Sequence, residues 1–345
     1  MLDVPKDPNV VALGEALIDL IGEVDASGEL AYRARPGGSP MNVAVAAARL
    51  GTPTAFLTRL STDAFGARLA EHVTASGVDL RLAQRGPEPT SLAVVTLDAQ
   101  RNARYAFYRV GTADVAYDPS PRPTLPASVA VGCVTLSLLL EPARGAFRDL
   151  VVASGRAAAT DRAAASGAGE PTRRVVWIAD PNVRPALMPD RDAFVRDVDG
   201  WAALVDVVKV SDEDLEHLGL GEVEAAERWF AAGAAAVAVT TGGDGARLHR
   251  RGRPVLAVPG RAVAVVDTVG AGDTFTAGLA TGLAAVAGDR AAPHGGALGE
   301  RALDVGALDD ARWRAVLERA VAASSITCTR AGADPPTARE LADVL

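Results

Sequence analysis

Residues 265–275 read Val265-Val266-Asp267-Thr268-Val269-Gly270-Ala271-Gly272-Asp273-Thr274-Phe275. This order predicts a β-rich apolar run, then a Gly-Ala-Gly turn, then a small-residue helix that begins at about Asp273. Glycines permit unusual dihedrals and close backbone approach, so successive N–H groups can converge at the start of the helix. Such a turn cradles an anion, and the helix dipole adds to the attraction. Asp273 sits in the same turn, where a proton acceptor for an attacking hydroxyl is needed. A bare Gly-Ala-Gly-Asp also suits an N-cap aspartate in a tight strand-to-helix turn.

Working outward, apolar runs at 131–140, 175–179, 205–210 and 236–240 alternate with helix-like segments. That rhythm is the signature of a parallel sheet with crossover helices. Nearer the N-terminus, strands are expected at 9–13, 17–22, 31–35 and 54–58, with a turn at 25–28. A helix over 40–50 is stopped by Gly51, a second spans 63–76, and 92–97 and 104–108 form a hairpin around 98–102. Further helices are expected at 272–287 and 311–324. The whole reads as one α/β domain over 1–345, with a small β excursion from about 15–37 and 90–115. Residues 157–170 and 288–310 are Ala/Gly-rich and weakly patterned, and are expected to be surface insertions.

The 345 residues are 49% apolar and 23% charged, with a net charge of -8, which reads as soluble and disfavours nucleic acid or an anionic membrane as partner. Two distant cysteines and four scattered histidines offer no disulfide framework or zinc pattern. The N-terminus lacks a signal peptide's basic and apolar regions, and the apolar stretch 262–288 carries Asp267 and Asp273, too polar for a comfortable membrane span. A cytoplasmic protein is expected. Lysine occurs only as Lys6 and Lys209.

Other stretches combine turn and polar residues at ends of apolar runs. Gly14-Glu15-Ala16-Leu17-Ile18-Asp19 ends in a carboxylate able to accept from vicinal hydroxyls. Pro36-Gly37-Gly38-Ser39-Pro40-Met41-Asn42 pairs two glycines with an amide at a helix start. Asp180-Pro181-Asn182-Val183-Arg184 follows a strand at the carboxyl end, where α/β sheets bind ligands, although Asp-Pro-Asn is also a good turn. Glu141 follows another apolar run, where it serves equally as a solvated loop acid. Thr240-Thr241-Gly242-Gly243-Asp244-Gly245 is a strand ending in a turn. No G-x-x-x-x-G-K-[ST] occurs, so any phosphate must rely on backbone amides; no G-x-G-x-x-G follows the first strand, against a dinucleotide site.

Taken in order, these pieces resemble the ribokinase-like (PfkB) carbohydrate kinases over about residues 10–340. The resemblance implies a three-layer α/β sandwich with a mostly parallel central sheet and a small β-sheet lid. It makes Asp273 the catalytic base and Gly270, Ala271 and Gly272 the anion hole. Asp19, Gly37, Gly38, Asn42, Glu141 and Arg184 become substrate ligands, with the stretch around Arg184 near the phosphates. Lys209, Thr240, Gly242 and Gly245 fall on the nucleotide side. Where many members carry N-x-x-E, this chain has Ser211 and Asp214; with Asp180, Asp214 is assigned to a metal reached through water. ATP and Mg²⁺ are the implied cofactors, and the family admits K⁺ near Asp267 and a homodimer through the lid. The segments at 180–187, 209–214 and 328–333 are similar to bacterial fructokinases, which points to fructose phosphorylated on a hydroxymethyl group. A family kinase for ribose, 2-keto-3-deoxygluconate or a nucleoside, or a non-catalytic scaffold of the same fold, are the alternatives.

Overall fold

A computed structural model describes residues 7–24, 27–97, 103–125, 129–133, 139–154, 175–188, 190–289 and 303–345. The short apolar runs lie side by side in it. β1 (Val10–Leu13), β4 (Thr54–Leu57), β9 (Val129–Cys133), β10 (Val176–Asp180), β11 (Val207–Ser211) and β12 (Ala236–Thr240) join in parallel pairs. β13 (Gly245–Arg250) and β14 (Leu256–Pro259) extend one edge as antiparallel strands, giving the order β14-β13-β12-β11-β10-β9-β1-β4.

The parallel strands are largely apolar because both faces are covered, as parallel sheets require. Period-two alternation divides their side chains between two cores. Val10, Ala12, Val176, Ile178, Val207, Ala236 and Ala238 face one core. Val11, Leu13, Trp177, Ala179, Val208, Val210, Val237 and Val239 face the other. The first is closed by helices α1 (Ser39–Arg49), α2 (Ala64–Ala75), α7 (Ala271–Asp289), α8 (Asp310–Thr327) and α9 (Ala338–Ala342). The second is closed by α3 (Ala143–Ser154), α4 (Arg191–Ala202), α5 (Asp212–Leu218) and α6 (Glu222–Ala232). This is the expected ribokinase-like sandwich. Helix α7 is apolar on all sides because it is wedged between neighbours; a Cβ on Gly278 would lie 2.6 Å from Ala320 Cα, so only glycine lets α7 and α8 approach this closely.

A separate four-stranded sheet, order β3-β2-β7-β8, is built from β2 (Leu17–Val24), β3 (Leu30–Gly37), β7 (Ser91–Leu97) and β8 (Ala103–Tyr108). Its two hairpins, β2–β3 and β7–β8, are joined by parallel pairing of β2 with β7. A two-stranded pair, β5 (Arg59–Ser61) with β6 (Gln84–Gly86), lies between the two hairpins in sequence.

Two expectations need correction. The run before the Gly-Ala-Gly turn is no strand: residues 261–265 have no regular structure, Val263, Val265 and Val266 are exposed, and Val266 N–H donates to Cys328 O at 2.8 Å instead of to a strand. The supposed insertion 288–310 is not all surface, because Leu303, Val305 and Leu308 are buried in the first core and anchor its end there. Residues 157–170 lie outside the described residues, as do the loop 98–102 and positions 25 and 26.

Candidate active site

The carboxyl ends of β1, β10, β11 and β12 share one edge of the sheet, and the Gly-Ala-Gly turn opens α7 above β11. Gly270 has φ +76°, and a Cβ there would lie 2.6 Å from that of Ala333, so both dihedral and space demand glycine. Helix α7 starts at Ala271, two residues earlier than expected, so Asp273 occupies the third helical position and is not the N-cap. The first-turn N–H groups have no intrahelical acceptor. Thr274 N–H is the first to close on the turn, donating to Gly270 O at 2.8 Å, while Ala271 N–H folds back to Thr268 O at 3.2 Å.

The Asp273 side chain is held from across the molecule by the first turn of α1. Ser39 Oγ donates to its Oδ1 at 2.5 Å and Asn42 Nδ2 to its Oδ2 at 2.8 Å. Asn42 was legible from sequence, whereas Ser39 was not picked out. The signal was its place three residues before Asn42, on the same side of a helix. Gly38, at φ +109°, lets the chain approach the link between β1 and β2; a Cβ there would stand 2.9 Å from Glu15 O.

Asp19 lies on β2 opposite Ala93, which pairs with Phe107, so these residues share one face of the small sheet with Leu17. Its carboxylate rests on Gly37, where any Cβ would collide with Oδ2. Burial pushes the Asp19 carboxyl up to about 6; the Arg184 cation opposes that and the Asp273 charge adds to it. Asp19, Asp273 and Arg184 therefore sit in one electrostatic neighbourhood. Arg184 comes from the turn after β10, where Asp180 Oδ1 accepts from Asn182 N–H at 3.2 Å and Asn182 takes φ +41°. Its guanidinium donates to Val183 O at 3.0 Å. Its charge is felt on the Asp19 side of the site.

Beneath the turn lies a buried ionic cluster. Lys209, only 4% exposed, stands 3.0 Å from Asp180 Oδ2, and Thr276 Oγ1 donates to the same oxygen at 2.9 Å. Burial works against the Lys209 ammonium, yet Asp180, Asp214 and Asp273 together raise it and keep it cationic. Burial raises Asp180, with Lys209 opposing. A Cβ on Gly272 would touch Lys209 Nζ at 3.4 Å, which puts this cation directly under the Gly-Ala-Gly turn. Asp214 closes a capping box with Ser211 and accepts N–H bonds from Val183 and Ser211, tying the turns after β10 and β11 together. Among the described residues no group of three or more His, Cys, Asp or Glu is arranged to hold a metal ion.

The remaining candidates are more peripheral. Glu141 is exposed, and its carboxylate accepts from Gly145 N–H at 3.0 Å in the first turn of α3. Thr240 ends β12, and Gly242 (φ +51°) opens the turn after it. Gly245 is glycine for packing: a Cβ there would lie 2.2 Å from Val258 O. The assembly can hold an anion against the amides of α7 and present a carboxylate to a hydroxyl oriented by Asp19 and Arg184.

A family model described as "pfkB family carbohydrate kinase" matches residues 7–339. A fructokinase of Rhizobium leguminosarum bv. trifolii is 38% identical over 277 residues, 79% of this chain and 79% of that protein. Among solved structures, the fructokinase of Vibrio cholerae O395 with fructose, ADP and calcium ion superposes with a TM-score of 0.76 at 26% identity, covering 97% of this chain and 98% of that one. The fructokinase of Xylella fastidiosa with bound ATP gives 0.75 at 25% identity, covering 97% of each chain.

Proposed function

Because the chain belongs to the pfkB family of carbohydrate kinases, we propose that it transfers the γ-phosphate of ATP to the 6-hydroxymethyl group of fructose. The observation that carries the kinase reading is Asp273, held in the first turn of a glycine-led helix where its charge, like that of Arg184, acts on Asp19. The choice of fructose follows the similarity to fructokinases.

Asp273 takes the proton of the attacking hydroxyl. Backbone N–H groups of Gly270, Gly272 and Asp273 face the charge that develops on the transferred phosphoryl group. Asp19 and Arg184 orient the sugar, with Gly37 and Gly38 leaving room for its approach. The strand-end turn with Thr240, Gly242 and Gly245 lies on the nucleotide side. Asp180 and Asp214 would hold Mg²⁺ on the nucleotide side, and the ion would supply charge neutralisation for the phosphates. Asp180 is paired with Lys209 and Asp214 accepts two N–H bonds, so these carboxylates would reach the ion through the waters Mg²⁺ retains. K⁺ is proposed near Asp267, whose carboxylate accepts from Val269 and Gly332 N–H.

The small sheet acts as a lid that excludes water from the sugar, within one kinase domain working in the cytoplasm. Ile21, Tyr32, Tyr105 and Tyr108 are exposed on it, which supports a homodimer through the lid. Among the described residues no helix is long and apolar enough to cross a membrane.

A coupled assay with ATP and a panel of sugars tests the substrate: fructose is expected to give the highest kcat/KM. A tenfold preference for ribose, 2-keto-3-deoxygluconate or a nucleoside would replace it. Asp273→Asn keeps size and should leave ATP and fructose binding intact by calorimetry, while kcat falls by roughly 10²–10⁴-fold. Turnover above about a tenth of wild type would mean that Asp273 is not the base.

A further inference from the structure

We propose that Ser39 is a positioning residue for the base: its hydroxyl donates to Asp273 Oδ1 and holds that carboxylate aimed at the sugar hydroxyl. The inference rests on the reading of Asp273 as base. Serine at a helix start ordinarily bonds to its own backbone turn. Here Ser39, the first residue of α1, has its hydroxyl 2.5 Å from an aspartate in α7, 234 positions along the chain.

Several features make this contact more than incidental. Ser39 is only 9% exposed, so water competes little for its hydroxyl. The next residue, Pro40, has no N–H and a fixed φ, which stiffens the turn that carries the serine. Asn42, one turn on, fixes the other oxygen at 2.8 Å, so the carboxylate plane is defined from both sides. An ionised carboxylate offers about four lone-pair sites, and these two donors leave sites open for a substrate hydroxyl. The first turn of α1 also turns its positive dipole end towards the same charge. Ser39 and Asn42 together therefore restrict the rotamers from which the base acts.

The test compares kcat and both KM values at one pH for wild type, Ser39→Ala and Ser39→Thr, each with its melting temperature. In Ser39→Ala kcat is expected to fall roughly tenfold, the scale of one lost bond to a charged acceptor, while both KM values stay within about twofold. Ser39→Thr keeps the hydroxyl and should restore kcat. A purely structural serine would lower the melting temperature and leave the kcat of the folded enzyme unchanged; that result overturns the proposal. Should Ser39→Ala not fold, Ser39→Cys, a weak donor of similar shape, must lower kcat with both KM values unchanged, and an unchanged kcat again overturns it. If Asp273→Asn proves active, the base assignment itself fails, and the two failures are told apart.

Discussion

Lowering the pH should weaken sugar binding through Asp19 before it unfolds the protein. The Asp19 carboxyl ionises at about 6 in the folded chain, against 3.8 for an ordinary aspartate, because burial outweighs the neighbouring Arg184. If only the ionised form accepts the sugar hydroxyls, the apparent Kd grows as one plus the ratio of protonated to ionised Asp19. That factor is about 1.1 at pH 7, about 2 at pH 6 and about 11 at pH 5. Calorimetric titration of fructose in the presence of a non-hydrolysable ATP analogue measures it without chemistry. Asp19→Asn should bind fructose roughly tenfold or more weakly at pH 8, since a bond to a charged group is worth about 1.5–3 kcal/mol, and its affinity should be flat from pH 7 to 5. An unchanged wild-type affinity over that range, or the same slope in the Asn variant, would refute the reasoning. Linkage runs the same way: the folded state holds the Asp19 proton to higher pH than the unfolded chain, so stability from this group is greatest below the window and is lost as pH rises from about 4 to about 6. Asp19→Asn should therefore raise the melting temperature at pH 7, with about 3 kcal/mol as the ceiling.

Lys209→Met should cost about 3–5 kcal/mol of stability, because it strands the buried Asp180 charge, and adding Asp180→Asn should recover part of the loss. A rise in the ATP KM with an unchanged melting temperature would instead make Lys209 a direct nucleotide ligand. Glu141→Gln should leave the fructose KM within about twofold and cost at most about 1 kcal/mol, the value of an exposed helix cap. A tenfold rise in that KM would return Glu141 to the sugar site.

Much of this protein is readable along the chain. Continuous apolar strands such as Val176–Ala179 and Ala236–Val239 announce a parallel sheet covered on both faces, because each strand carries that information in its own composition. The Gly-Ala-Gly-Asp turn is equally local: its glycines answer backbone demands that a few neighbouring residues create. The run 262–266 misled because apolar, β-branched residues fit a strand only when an edge is there to pair with, and no local signal reports that edge. Side-chain partners are likewise beyond a linear reading. Lys209 reads as a nucleotide-side residue in its own segment; that β10 and α7 set it beside Asp180 and Gly272 as a buried cation is visible only in the fold. Ser39 passed for part of a glycine turn until the packing of α1 against α7 set its hydroxyl on Asp273. Sequence alone determined the parallel strands, the lid hairpins and the acid that ends the glycine loop, since periodicity and dihedral preference act over a few residues; only the tertiary structure decided the antiparallel edge strands β13 and β14 and what each charge faces, because burial and pairing depend on atoms brought from distant positions in the chain.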